Sequence, residues 1–142
     1  MTTLIAYRPT DPSKAYFRIN NQSWREFASF VLDQCVDFMP GGEAAGWFGD
    51  ENHIVEERIV GKIAVRLNRR LNDGTVRQYE TELLIHYPPI PCHSCNQSGV
   101  NKNGEKCRAC NGVGKINQVQ FSEEKIKEFI EFILNCSGFD IS

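Results

Sequence analysis

Residues Arg58 to Tyr87 read RIVGKIAVRLNRRLNDGTVRQYETELLIHY. Asn72-Asp73-Gly74 divides the stretch into two runs rich in β-branched and aromatic residues, a pattern that predicts a long β-hairpin. A two-residue Asp-Gly loop would set Val65 against Glu82 and Leu67 against Glu80. A three-residue loop pairs Ile63 with Leu83, Val65 with Thr81 and Leu67 with Tyr79, giving one consistent apolar face, with Gly74 as the left-handed residue of the bulge. The other face then carries Lys62, Arg66 and Arg70 against Glu82 and Glu80, with Arg66 and Glu80 as a cross-strand ion pair. Such a salt ladder is the preferred account of the arginines, because a phosphate-binding surface gains nothing from interleaved carboxylates. Arg69, Arg70 and Arg77 at the turn stay uncompensated and are candidates for an anionic partner.

Before this stretch, Thr3 to Tyr7 and Ala15 to Ile19 read as short strands separated by Arg8-Pro9-Thr10-Asp11-Pro12. Ser23 and Glu26 form a capping box that opens a helix. Trp24, Phe27, Ala28, Val31, Cys35 and Phe38 lie on its apolar face, and Pro40-Gly41-Gly42 stops it. The segment 41–53, GGEAAGWFGDENH, reads as a loop. Its adjacent Trp47 and Phe48 either cap the core, the preferred account, or anchor a partner.

Beyond the stretch, Tyr87-Pro88-Pro89-Ile90-Pro91 is stiff and extended. Residues 115–121 alternate Ile116, Val119 and Phe121 and predict a third strand of the sheet. Ser122 caps a last helix, with Glu123 and Glu124 in its first turn and Ile126, Phe129, Ile130, Ile133 and Leu134 buried; Cys136 to Gly138 ends it.

The 142 residues suit one domain, and the net charge of −2 gives no global attraction to nucleic acid or anionic membrane. The N-terminus shows no signal-peptide pattern and no window approaches a membrane span, so a cytoplasmic protein is expected.

Of six cysteines, four form two Cys-x-x-Cys pairs eleven residues apart, Cys92/Cys95 and Cys107/Cys110. Four thiolates at this spacing can converge on one Zn²⁺. Redox-active pairs sit at a helix N-terminus, whereas these sit among turn residues, so structural zinc is preferred over disulfides or a redox dithiol. Four protein ligands leave no open position for water, which disfavours a catalytic zinc. Cys35 and Cys136 fall in apolar helical patterns and read as core. Lys102, Lys106 and Arg108, with Lys115, leave this region locally basic against Glu105.

The stretch Cys92 to Gly114, CHSCNQSGVNKNGEKCRACNGVG, resembles the DnaJ-type zinc finger, whose repeat is Cys-x-x-Cys-x-Gly-x-Gly. CRACNGVG matches in full; CHSCNQSG has Gln97 in place of the first Gly and recovers the second at Gly99. The resemblance implies two repeats sharing one zinc ion and a role in protein-protein contact, as in chaperone cofactors. The His-Pro-Asp signature of a J-domain is absent.

No nucleophile motif, phosphate-binding loop or dinucleotide fingerprint is present, and His53, His86 and His93 read as surface or core side chains. The expectation is an α+β domain spanning residues 1–142. It has a small antiparallel sheet built on the hairpin, two amphipathic helices, and a zinc finger at 92–114 inserted before the last strand. Its function would be non-enzymatic: a zinc-binding interaction or regulatory protein. Candidate partner-binding residues are Trp47, Phe48, Arg69, Arg70, Arg77, Lys102, Lys106 and Arg108. A nucleic-acid-binding regulator using the finger and hairpin tip is the alternative; a thiol oxidoreductase or chaperone cofactor is a third.

Overall fold

The structure is a computed structural model that describes all 142 residues. In chain order its elements are β1 (Thr2–Ala6), a 3₁₀ turn (Pro12–Lys14), β2 (Tyr16–Ile19), α1 (Asn21–Gln34), α2 (Glu43–Phe48), β3 (His53–Glu56), α3 (Glu57–Asn72), α4 (Thr75–His86), β4 (Ile90–Pro91), β5 (Lys115–Ile116), α5 (Glu123–Leu134) and β6 (Gly138–Ile141). The class is α+β. Residues 1–80 with 120–142 form one compact unit, and residues 81–119, which interrupt it, form a second.

The expected hairpin is instead two helices. A strand alternation at Ile63, Val65 and Leu67 would leave Val60 and Ala64 on the charged face. A 3.6-residue period gathers Ile59, Val60, Ile63, Ala64 and Leu67 on one side, all buried, and sends Val65 to solvent. Sixteen residues also suit a helix better than a strand. Asn72-Asp73-Gly74 is punctuation between helices rather than a hairpin turn. Gly74, at φ +86°, takes the left-handed position that follows a helix C-cap, while Asp73 Oδ1 accepts from the Thr75 backbone N–H at 2.9 Å to start α4. Arg69 and Arg70 fall in the last turn of α3, where the helix dipole favours cations. The Arg66–Glu80 pair does not form. Arg66 instead holds Asp37 through two bonds of 2.7 and 2.9 Å, and Glu80 accepts from the Glu123 backbone N–H at 2.9 Å.

The main sheet has the order β2-β1-β6-β3 with every pair antiparallel. Its strands β1 and β2 follow the expected segments closely, with β2 at an edge and β1 inside the sheet between β2 and β6. β3 and β6 begin at His53 and Gly138, the last residues of the segments read as loop and helix end, and continue through residues for which the sequence reading assigned no element. Leu4, Ala6, Phe17, Ile19, Val55, Phe139 and Ile141 alternate onto one buried face. There the aromatic core gathers, with Phe129 T-shaped against Phe17, Phe27 and Phe139 at centroid distances of 5.3, 5.2 and 6.1 Å.

α1 starts earlier than the Ser23 capping box predicts. Asn20 is the cap and accepts from the Ser23 N–H at 2.8 Å, freeing the buried Ser23 hydroxyl to accept from the Gln120 N–H at 2.7 Å. α1 ends at Gln34, before Phe38. α5 begins at the Ser122 cap as expected, but Leu134 is exposed and Phe132 is buried in its place. The third strand shrinks to Lys115–Ile116, which pairs with Ile90–Pro91 rather than with the main sheet. No helix is long and apolar enough to cross a membrane.

Candidate metal centre

Within residues 81–119, two turns face one another with nearly repeated geometry. In the first, the Gln97 N–H donates to the Cys92 carbonyl at 3.0 Å and the Ser98 N–H to the Cys95 carbonyl at 3.0 Å. In the second, the Gly112 N–H donates to Cys107 and the Val113 N–H to Cys110, each at 3.1 Å. The halves are cross-linked symmetrically: Cys92 N–H donates to the Gly114 carbonyl and Cys107 N–H to the Gly99 carbonyl, both at 2.9 Å. Between them, Asn101 accepts on its side-chain oxygen from the N–H groups of Asn103 and Glu105, both at 2.9 Å, closing the connecting loop.

These turns need left-handed backbone at matched positions: Asn96 with Asn111, Gln97 with Gly112, and Gly99 with Gly114. Asparagine tolerates that region better than most residues, and Gln97 occupies it at φ +67°. The last glycine of each turn is fixed more tightly. A Cβ on Gly99 would stand 2.5 Å from the Gly112 carbonyl oxygen, and one on Gly114 would stand 2.6 Å from that of Gln97. Each knuckle therefore uses its final glycine to pack against the middle of the other.

The Sγ atoms of Cys92, Cys95, Cys107 and Cys110 all lie within 4.8 Å of one another and are buried, with Ile116 packed against them. Cys92 to Cys107 is 4.0 Å and Cys95 to Cys110 is 3.7 Å. A disulfide needs about 2.05 Å, whereas the edge of a tetrahedron with metal–sulfur bonds of about 2.3 Å is about 3.8 Å. The Gly99 and Gly114 N–H groups donate to Cys95 Sγ and Cys110 Sγ at 3.3 and 3.2 Å, which orients the sulfurs and offsets negative charge. Burial pushes the Cys92 thiol up to about 11. Burial also opposes ionisation of Cys110, but the Gly114 N–H and the neighbouring thiols outweigh it and hold this group near 6. Four buried sulfurs this close cannot all carry charge without a cation among them, and the set can hold one metal ion.

The structure brings the four predicted cysteines together but does not gather the candidate partner-binding residues. Trp47 and Phe48 part company: Trp47 is 1% exposed and Phe48 is 45% exposed. Trp47 stacks on Trp24 at 5.7 Å and 12°, donates through Nε1 to Glu43 at 3.1 Å, and accepts on its carbonyl from Trp24 Nε1 at 2.9 Å. The segment taken as loop is the short helix α2, and the 2.8 Å contact between His53 Nε2 and Glu43 ties it to β3. Because Glu43 also accepts from Trp47, His53 and Glu43 form a structural clasp rather than a free acid and base.

Arg70 bonds Asp73 and Gln34, and Arg77 pairs with Glu123. Arg69, Lys102, Lys106 and Arg108 are exposed. His86 is exposed at the end of α4 and His93 is exposed between Cys92 and Ser94. Cys35 is fully buried, which lifts its thiol to about 12, and Cys136 is half-buried.

Sequence reasoning missed a cationic cluster on α3, where Lys62 Nζ and the Arg66 guanidinium lie 5.9 and 5.3 Å from the centre of the Phe38 ring. A helical reading of 58–72 would have placed these cations one turn apart. It also missed an open cleft of about 660 Å³ beside Trp24 and Phe48, with Arg25, Asp50 and Glu51 on its walls. No family model matches the chain, no curated protein matches its sequence, and no solved structure matches it.

Proposed function

We propose that this is a non-enzymatic zinc-binding interaction or regulatory protein. Cys92, Cys95, Cys107 and Cys110 hold one structural Zn²⁺, and the DnaJ-type finger they close either contacts another protein or fixes the shape of its own domain. The observation that carries this reading is the sulfur geometry: separations of 3.7 and 4.0 Å fit a zinc tetrahedron, and all four positions are supplied by buried protein ligands. A closed shell leaves no site for substrate or activated water. The Cys-x-x-Cys pairs sit in turns and not at a helix N-terminus, which speaks against a thiol oxidoreductase; an insulin-reduction assay should show no turnover.

Cys107→Ser should release the ion and disorder residues 92–114. It should also abolish capture of a protein partner from nuclease-treated extract of the native host, if the finger makes the contact. The alternative of nucleic-acid binding has one observation in its favour: Lys102, Lys106 and Arg108 are exposed on the finger and none forms an ion pair. Binding that weakens steeply with salt and is lost on nuclease treatment would select that reading.

A further inference from the structure

The four-stranded sheet buries one face and leaves the other open. Along the pairing register, Tyr16, Ile5, Asp140 and Ile54 form a single row across all four strands on the open face. Tyr7, which extends β1 with the same alternation, lies beside this row. Tyr16, Ile5, Tyr7 and Ile54 are between 37% and 57% exposed, an apolar concentration that the alternation of a soluble one-sided sheet does not require. Amid this row Asp140 is part-exposed, and its Oδ1 is shut off from solvent with no hydrogen-bond donor. A carboxylate so placed is under-compensated, and compensation can come only from its accessible side. The face carries one cation on β2: Arg18, exposed, without an ion pair, its guanidinium 5.0 Å from the centre of the Tyr16 ring.

We propose that the open face is an isologous contact with a second copy of this chain, in which Arg18 of each subunit pairs with Asp140 of the other. Arg18 lies opposite Thr3 and Asp140 lies opposite Ile5, so the two stand on either side of β1 and one outward-facing position apart along it. A two-fold axis lying in the plane of the contact and crossing β1 between Thr3 and Ile5 exchanges them. Both carboxylates are then neutralised at once, as a closed two-fold interface requires. The axis passes beside Ile5 and Tyr16, which form the apolar centre of the contact. Strand spacings of about 4.8 Å and a rise of about 3.4 Å per residue give the face a footprint of roughly 300 Å². This is below half of the roughly 800 Å² per partner of a standard stable interface, so the dimer is a weak one, forming in the micromolar range or above.

Sedimentation velocity of the zinc-loaded full chain from about 1 to 500 μM tests the proposal. The wild type should shift from monomer to dimer as concentration rises. Arg18→Glu alone and Asp140→Arg alone should each weaken dimerisation at least tenfold, whereas an equimolar mixture of the two should associate again, because both ion pairs then re-form across the interface. Tyr16→Asp, at a well-exposed position, should abolish association with an unchanged melting temperature and keeps the test decisive should Asp140→Arg fail to fold. A wild type that stays monomeric to 500 μM overturns the proposal. So does a mixture that associates no better than its components, or a Tyr16→Asp protein that dimerises like the wild type.

Discussion

Gly114→Ala should damage the metal centre far more than its one added methyl group suggests. At φ +86° an alanine sits in the left-handed region at a cost of about 1–2 kcal/mol. Its Cβ would also stand 2.6 Å from the Gln97 carbonyl oxygen, closer than side-chain carbons come to backbone, so the opposing knuckle must shift and move its sulfurs. The sum is at least about 2 kcal/mol, which at about 1.4 kcal/mol per decade is a loss of roughly thirtyfold in zinc affinity. Gly99→Ala, facing the Gly112 oxygen at 2.5 Å, should match it. Gly112→Ala is the control: its Cβ would meet only the flexible Lys106 side chain, so the left-handed backbone cost of about 1–2 kcal/mol stands alone and the loss, about five- to thirtyfold, should stay below that of Gly114→Ala, which carries the same cost and the backbone clash besides. Gln97→Gly should change affinity by less than about threefold, since relief of a left-handed glutamine is offset by greater freedom of the unfolded chain. Competition against a chromophoric zinc chelator measures all four. Equal losses at Gly112 and Gly114, or none at Gly114, would refute the interlocked arrangement of the knuckles.

Trp47→Ala removes a fully buried ring and its bond to Glu43 and should cost about 3–5 kcal/mol, lowering the melting temperature by more than about 10 °C, whereas Phe48→Ala should stay within about 1 kcal/mol. Tryptophan emission in the native protein should correspondingly be that of buried indole; a water-like maximum would contradict the packing of Trp24 on Trp47. The Arg66 guanidinium holds the Asp37 carboxyl near 2, and hydrogen bonds from Thr75, with Arg70, do the same for Asp73. Both lie below the ordinary 3.8, so their contribution is present above that pH and is lost as pH falls through about 2. Near-UV circular dichroism of the two tryptophans, which reports residues 1–80 with 120–142 apart from any loss of metal, should show this acid-side decline. Arg66→Gln should flatten part of it; an unchanged profile in that variant would show that Arg66 does not set the Asp37 ionisation.

The four-cysteine cluster was legible because two pairs of thiols at fixed spacing leave few alternatives, and α5 was legible because Ser122 and its acidic first turn precede a long apolar period. The helices of 57–86 were not, for a physical reason. Ile59, Val60, Ile63 and Val65 carry strong β preference, and Asn72-Asp73-Gly74 serves a helix C-cap and a hairpin equally well, so local propensity pointed to strands while burial of Val60 and Ala64 decided for helix. β6 escaped notice because Gly138–Ile141 is only four residues long and gains its order from pairing with β1 and β3, distant in sequence. Splitting of the Trp47–Phe48 pair likewise follows from a short helix that sends neighbouring side chains in different directions. The symmetric packing of Gly99 and Gly114 across the two turns depends on contacts that spacing alone does not reveal.

Elemental analysis of the protein purified under reducing conditions tests the central claim most directly. One zinc per chain is predicted, lost in Cys107→Ser, with chelation disordering residues 92–114 while most of the helical circular dichroism survives in α1, α3 and α5. Two metals per chain, no metal at all, or complete loss of helical signal on chelation would contradict it.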